Sequence, residues 1–165
     1  MARRRFYGLL LFASFLFAIS GCKYPIISRE LRQEVQKDLT FTEVLRNPTA
    51  YVGSIVIWGG VIVETQNYPN GTEILLLEAP LDYPGRPEDE GFSQGLFIAK
   101  TPKYLGPTMY RAGMKITIAG EIIGKETRPL LGQTPYSYPV VAVKEIYLWK
   151  VYHYAGPGDP SYMSH

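Results

Sequence analysis

Residues 54–64 read SIVIWGGVIVE, and this run decides the fold class. Six of its eleven side chains are Val or Ile, which crowd a helical turn and suit a pleated strand. The Gly59-Gly60 pair in the middle predicts a bulge or a sharp coil. Asn67-Tyr68-Pro69-Asn70-Gly71 then supplies turn chemistry, and Thr72–Ala79 (TEILLLEA) returns as the hairpin partner. Further along, Gly95–Lys100 (GLFIAK) reads as a third strand. Lys115–Ile123 alternates, with Ile116, Ile118 and Ile122 on one face and Lys115, Thr117 and Glu121 on the other. Pro139–Val151 (PVVAVKEIYLWKV) reads as the last strand. Pro80–Gln94 is a polar loop carrying Glu88-Asp89-Glu90, and Thr101–Gly113 allows at most a helical turn. Trp58 and Trp149 fall within strands and are read as core.

Before the strands the period is helical. Ile27, Leu31, Val35 and Leu39 recur every four residues, which predicts an amphipathic helix over Ser28–Asp38, capped by Ser28. Thr40 and Glu43 have capping-box spacing and open a second helix, Phe41–Arg46, which Asn47-Pro48 ends. Five strands, with one longer connection between the third and fourth, predict a mainly β fold. The expected form is a small five-stranded OB-like Greek-key barrel with short N-terminal helices. Gly120, in the middle of the fourth strand, is placed to let a small barrel bend. A five-stranded antiparallel sandwich is the alternative.

Composition narrows the function. The 165 residues carry 17 Lys+Arg against 15 Asp+Glu, a formal +2. Arg3, Arg4 and Arg5 account for the excess; residues 22–165 carry 14 basic and 15 acidic side chains, a formal −1. Phosphate binding relies on clustered Lys and Arg, so no nucleic acid partner is expected. One Cys forms no internal disulfide, and His153 and His165, both near the C-terminus, supply no metal cage.

The N-terminal segment reads as an export signal. A charged stretch, Arg3-Arg4-Arg5, precedes a 13-residue apolar run from Phe6 to Ala18, short for a permanent membrane span. Ile19-Ser20-Gly21-Cys22 resembles the lipobox of bacterial lipoproteins. That resemblance implies cleavage before Cys22, a diacylglycerol on its thiol and an acyl chain on its new amine. Two or more chains anchor a protein stably. Lys23, where Asp would mark inner-membrane retention, implies release to the outer membrane. The alternative is that Cys22 is an ordinary small residue. The expected organisation is thus a cleaved signal at 1–21, a lipidated tether at 22–27, the barrel at 28–151 and a flexible tail at 152–165.

Across residues 22–150 the chain resembles the Slp family of outer membrane lipoproteins. The resemblance rests on Cys22, Phe41, Asn47-Pro48, Tyr51-Val52-Gly53 and Trp58-Gly59-Gly60. It continues through Pro80-Leu81-Asp82, Arg86-Pro87, Ser93-Gln94-Gly95 and Tyr110-Arg111-Ala112-Gly113. It ends with Tyr136, Pro139-Val140-Val141 and Leu148-Trp149. Family members commonly carry Gly-Arg in the third strand. Here Gly95 is followed by Leu96-Phe97, so a role for that arginine does not transfer. The resemblance implies an outer-membrane lipoprotein of Gram-negative bacteria associated with starvation and stationary-phase stress, and it brings no biochemical activity with it.

Catalysis finds little support in the residues. No His lies in a structured region, Cys22 is spent if acylated, and Asp82 with Glu88–Glu90 reads as a solvated acidic loop. No phosphate loop occurs. A non-enzyme without a cofactor, apart from the acyl chains on Cys22, is expected. OB barrels bind ligands with exposed aromatics and loops, which singles out Tyr136 and Tyr138 in a Pro-rich loop and Asp82 and Arg86 in the other long loop. The competing reading has the tyrosines covering the barrel ends and Asp82 bracing its loop with Arg86. The expected partners are the membrane, through the anchor, and an envelope protein or glycan on the periplasmic face. A passive structural lipoprotein is the alternative function.

Overall fold

The computed structural model describes residues 26–89, 92–130 and 134–150. The signal segment, Ile19 to Lys23, His153, His165 and the 152–165 tail lie outside the described residues.

Two short helices lead into the barrel. Helix α1 (Arg29–Glu34) is capped by Ser28, whose side chain accepts the Leu31 N–H at 3.4 Å. It is shorter than the expected Ser28–Asp38 because Val35 turns extended and bridges Ile55 in parallel. Helix α2 (Phe41–Arg46) matches its expected bounds, and Thr40 and Glu43 form the capping box. A 3-10 turn, Pro48–Tyr51, follows.

The strands are β1 (Ile55–Tyr68), β2 (Gly71–Ala79), β3 (Leu96–Thr101), β4 (Lys115–Leu130) and β5 (Thr134–Leu148). They close into a barrel in the order β1-β2-β3-β5-β4, with β3 and β5 parallel and every other pair antiparallel. This is the OB-like Greek key expected from the sequence. The sandwich alternative fails because β4 pairs with both β1 and β5. Inside, the period-2 pattern holds: Ile74 and Leu76 of β2, Phe97 and Ala99 of β3, and Ile116, Ile118 and Ile122 of β4 are fully buried. Helix α2 stops one end of the barrel. Its Phe41 ring stands edge-on to Trp58, 4.8 Å between centroids, and Trp58 stands edge-on to Phe97 at 5.2 Å.

One glycine reading changes, and a second gains a packing reason. The β1 bulge lies between Ile62 and Glu64, not at Gly59-Gly60. Gly60 is favoured by packing instead, since a Cβ there would sit 2.7 Å from the Leu77 carbonyl oxygen. At Gly120 a Cβ would meet the Ala142 carbonyl oxygen at 2.3 Å, so the strands close there without a side chain between them.

The largest difference from expectation is the reach of β4 and β5. Read from the sequence, the fourth strand ends at Ile123, the last begins at Pro139, and Tyr136 and Tyr138 fall in a Pro-rich loop. Residues 124–130 and 134–138 form a ribbon instead, with register running from Gly124 opposite Val140 to Leu130 opposite Thr134. Prolines fit because the ribbon's outer edges lack a ladder partner needing their N–H. Bulges at Ala119/Gly120 and Ile122/Gly124 set the bend. Trp149 also moves: it lies past the end of β5, half-buried, with its indole N–H donating to Thr117 Oγ1 at 2.9 Å.

Candidate functional site

The four residues singled out for ligand binding fall into two separate places. Tyr136 and Tyr138 are in β5, not in a loop. They project from the same ribbon face as Arg128 and Glu126, their register partners on β4. That face lies against the outside of β2 and β3. The Tyr136 hydroxyl accepts the Leu96 N–H at 3.0 Å, and the two tyrosine rings lie 4.6 Å apart. Tyr138 packs with Ile98 and Val140, and beside them Leu75 and Leu96. Ile98 points out of the barrel yet is only 1% exposed, because this second layer covers it. The strand 2–3 face is where OB barrels ordinarily take oligonucleotides or oligosaccharides. Here the protein's own ribbon occupies it.

Charges lock the cover down. Glu73 on β2 accepts both guanidinium nitrogens of Arg128, at 2.5 and 2.9 Å, and pairs with Lys100 at 3.3 Å. Glu126 bonds Lys100 and Arg128 in turn. Arg128 holds the Glu73 carboxyl below its ordinary 4.5, and Lys100 adds to the effect. Burial alone would raise Glu126, but Lys100 and Arg128 hold it low as well. Bidentate, charge-assisted bonds are among the stronger polar contacts in proteins.

Asp82 and Arg86 brace a loop on a different wall. Asp82 Oδ1 accepts the Arg86 backbone N–H at 2.7 Å, so the bracing runs through the main chain. Thr117 Oγ1 donates to the Gly85 carbonyl at 2.7 Å, and Lys115 Nζ reaches the Pro87 carbonyl and Asp89 at 2.7 and 2.6 Å. The loop thereby covers the outside of β1 and β4. The Lys115 ammonium holds the Asp89 carboxyl below its usual range. The expected four-residue site is therefore not formed: one pair seals a face and the other pins a loop.

The structure offers a different cavity, at the α2 end of the barrel. A cleft of about 320 Å³ opens between the 35–41 segment and the strand ends, with Gln36, Lys37, Trp58, Glu78 and Gln94 in its lining. Glu78 is 7% exposed, and its carboxylate accepts the Gln94 N–H at 2.9 Å. Burial raises its carboxyl above the ordinary 4.5, against the pull of that N–H. Thr42 of α2 bonds the Gln94 side chain, which ties the helix to the same rim. Sequence reasoning passed over Glu78, although its signal was present. Ile74, Leu76 and Glu78 are in step at period 2, which places a carboxylate on the core face. Among the described residues no group of three or more His, Cys, Asp or Glu side chains is placed to hold a metal ion.

The family model described as "Outer membrane lipoprotein Slp family" matches residues 19–165. The chain is similar to the uncharacterized lipoprotein YeaY of Escherichia coli (strain K12), 30% identical over 141 residues, 85% of this chain and 71% of that protein. It is also similar to the outer membrane protein Slp of the same organism, 29% identical over 142 residues, 86% of this chain and 73% of that one. Among solved structures, a mitochondrial single-stranded DNA binding protein, Rim1, of S. cerevisiae aligns with a TM-score of 0.35 at 10% identity. That alignment covers 59% of this chain and 96% of the other. A small single-stranded DNA-binding protein of Streptomyces coelicolor aligns with a TM-score of 0.35 at 13% identity, over 59% and 94%. Likenesses at that score carry no weight for this chain's ligand.

Proposed function

Because this chain belongs to the outer membrane lipoprotein Slp family, we propose that it is an outer-membrane lipoprotein, held by acylated Cys22, whose barrel faces the periplasm. It works there as a non-catalytic module that binds an envelope protein or glycan under starvation or stationary-phase stress. The observation that carries the binding reading is the cleft at the α2 end. An aromatic wall with a few converging polar groups is the common make-up of a small recognition site. A buried carboxylate whose charged form is disfavoured costs stability, which is more readily understood where a ligand reaches it. The formal −1 of residues 22–165 argues against nucleic acid as the partner.

The covered β2–β3 face favours the second reading, a passive structural lipoprotein. The two are separated by in-cell photo-crosslinking from Lys37, on the cleft rim, in starved cells. A specific product that Glu78→Gln abolishes supports the binding module. An identical product pattern with both proteins, or none above background, supports the passive role.

A further inference from the structure

The wall of the barrel that meets the membrane can be read from where the chain enters the described fold. Ile26 is four residues from Cys22, and an extended chain spans at most about 3.6 Å per residue, so the two are within roughly 14 Å. An acylated Cys22 lies at the base of a headgroup layer about 5–8 Å thick. The surface around Ile26 therefore lies no more than about 9 Å beyond the outer edge of the headgroups, however residues 23–25 are arranged.

The entering chain is held firmly to the barrel. Ile27 is buried, and the Ser28 N–H donates to Glu145 of β5 at 2.8 Å, so the expected 22–27 tether is anchored at its C-terminal end. Ile26 borders a mainly apolar cleft of about 290 Å³ with Ile57, Leu81, Tyr83, Pro84 and Arg32. Tyr83 is 79% exposed on the loop that Asp82, Thr117 and Lys115 hold rigid. Aromatic rings with one polar end concentrate at the membrane interface, where the ring meets hydrocarbon and the hydroxyl meets headgroups. Arginine beside such a ring pairs with lipid phosphates.

Resting on the acylation of Cys22, we propose that the wall formed by Ile26, Tyr83, Pro84 and Arg32 is the bilayer-contacting surface, with Tyr83 as its interfacial anchor among phospholipid headgroups. The barrel then lies with the 81–85 loop against the leaflet. The β1–β2 turn, about ten strand residues (roughly 30 Å) beyond Ile57, points elsewhere.

The single cysteine makes the test clean. In the mature lipoprotein an acylated Cys22 has no free thiol, so Tyr83→Cys introduces the sole labelling site. Tyr104→Cys, at a position 70% exposed between β3 and β4, is the comparison. Each variant is labelled with an environment-sensitive fluorophore and reconstituted in vesicles of phosphatidylethanolamine and phosphatidylglycerol containing headgroup-region doxyl lipid. The label at 83 is expected to be quenched roughly threefold more than the label at 104. One label per chain with equal quenching overturns the orientation alone. Two labels per chain show a free Cys22 thiol and overturn the anchor reading, and the orientation with it.

Discussion

Glu73 and Glu78 lie on the same strand, five residues apart, and are nearly equally buried at 8% and 7% exposed. Their carboxyls nevertheless shift in opposite directions. Glu73 faces outward and meets Arg128 and Lys100, so its carboxyl is held low. Glu78 faces inward at the α2 end, where burial outweighs the Gln94 N–H and pushes its carboxyl up. Burial alone does not decide what a charge does in a protein; the donors that reach it do. One of these carboxylates closes a surface. The other lies buried beside a cleft.

That contrast can be broken from the covered side first. Tyr138→Ala removes the ring that seals Ile98 and should cost about 3 kcal/mol, read as a lower urea midpoint. A midpoint unchanged within error would mean that the ribbon does not hold the β2–β3 face.

Arg128→Met should cost about 2 kcal/mol at neutral pH, since it strips a charged partner from a buried carboxylate. The pH course follows from the sign of the shifts. Folded Glu73 and Glu126 titrate below their ordinary 4.5, so their contribution is present above 4.5 and lost as pH falls through the folded values. The gap between wild type and variant should therefore narrow in acid below 4.5. A gap constant from pH 7 to pH 3 would place the cost in packing rather than charge.

The smallest effect has the opposite sign. Folded Glu78 titrates above its ordinary 4.5, so its charged form is disfavoured and stability falls as pH rises through that window. Glu78→Gln should stabilise the protein by about 1 kcal/mol at pH 7, a rise of about 3 °C in Tm. The gain should fade below pH 4.5. A loss of stability at pH 7 would show that the carboxylate has donors beyond Gln94.

Much of the barrel is legible along the chain. The SIVIWGGVIVE run, the turn at Asn67–Gly71, the capping box at Thr40 and Glu43 and the alternating Ile116, Ile118 and Ile122 each act over a few residues. The ribbon was hidden because Gly124, Pro129 and Pro135 mark loops in most contexts, and their edge position follows only from the sheet's pairing. Tyr136 and Tyr138 stand out in the sequence as aromatics, and in the fold they lie over Leu96 and Ile98. Nothing near them in sequence shows that Leu96 and Ile98 lie beneath.

The first three strands, the helix caps and the family are legible along the chain, because side-chain period, turn residues and local hydrogen bonds are short-range. The tertiary structure decided which surfaces are closed and which are open. Arg128 meets Glu73 across 55 positions, and the Gln94 N–H meets Glu78 across 16. Such pairings depend on how the barrel closes and where β4 bends. Local propensity does not encode either.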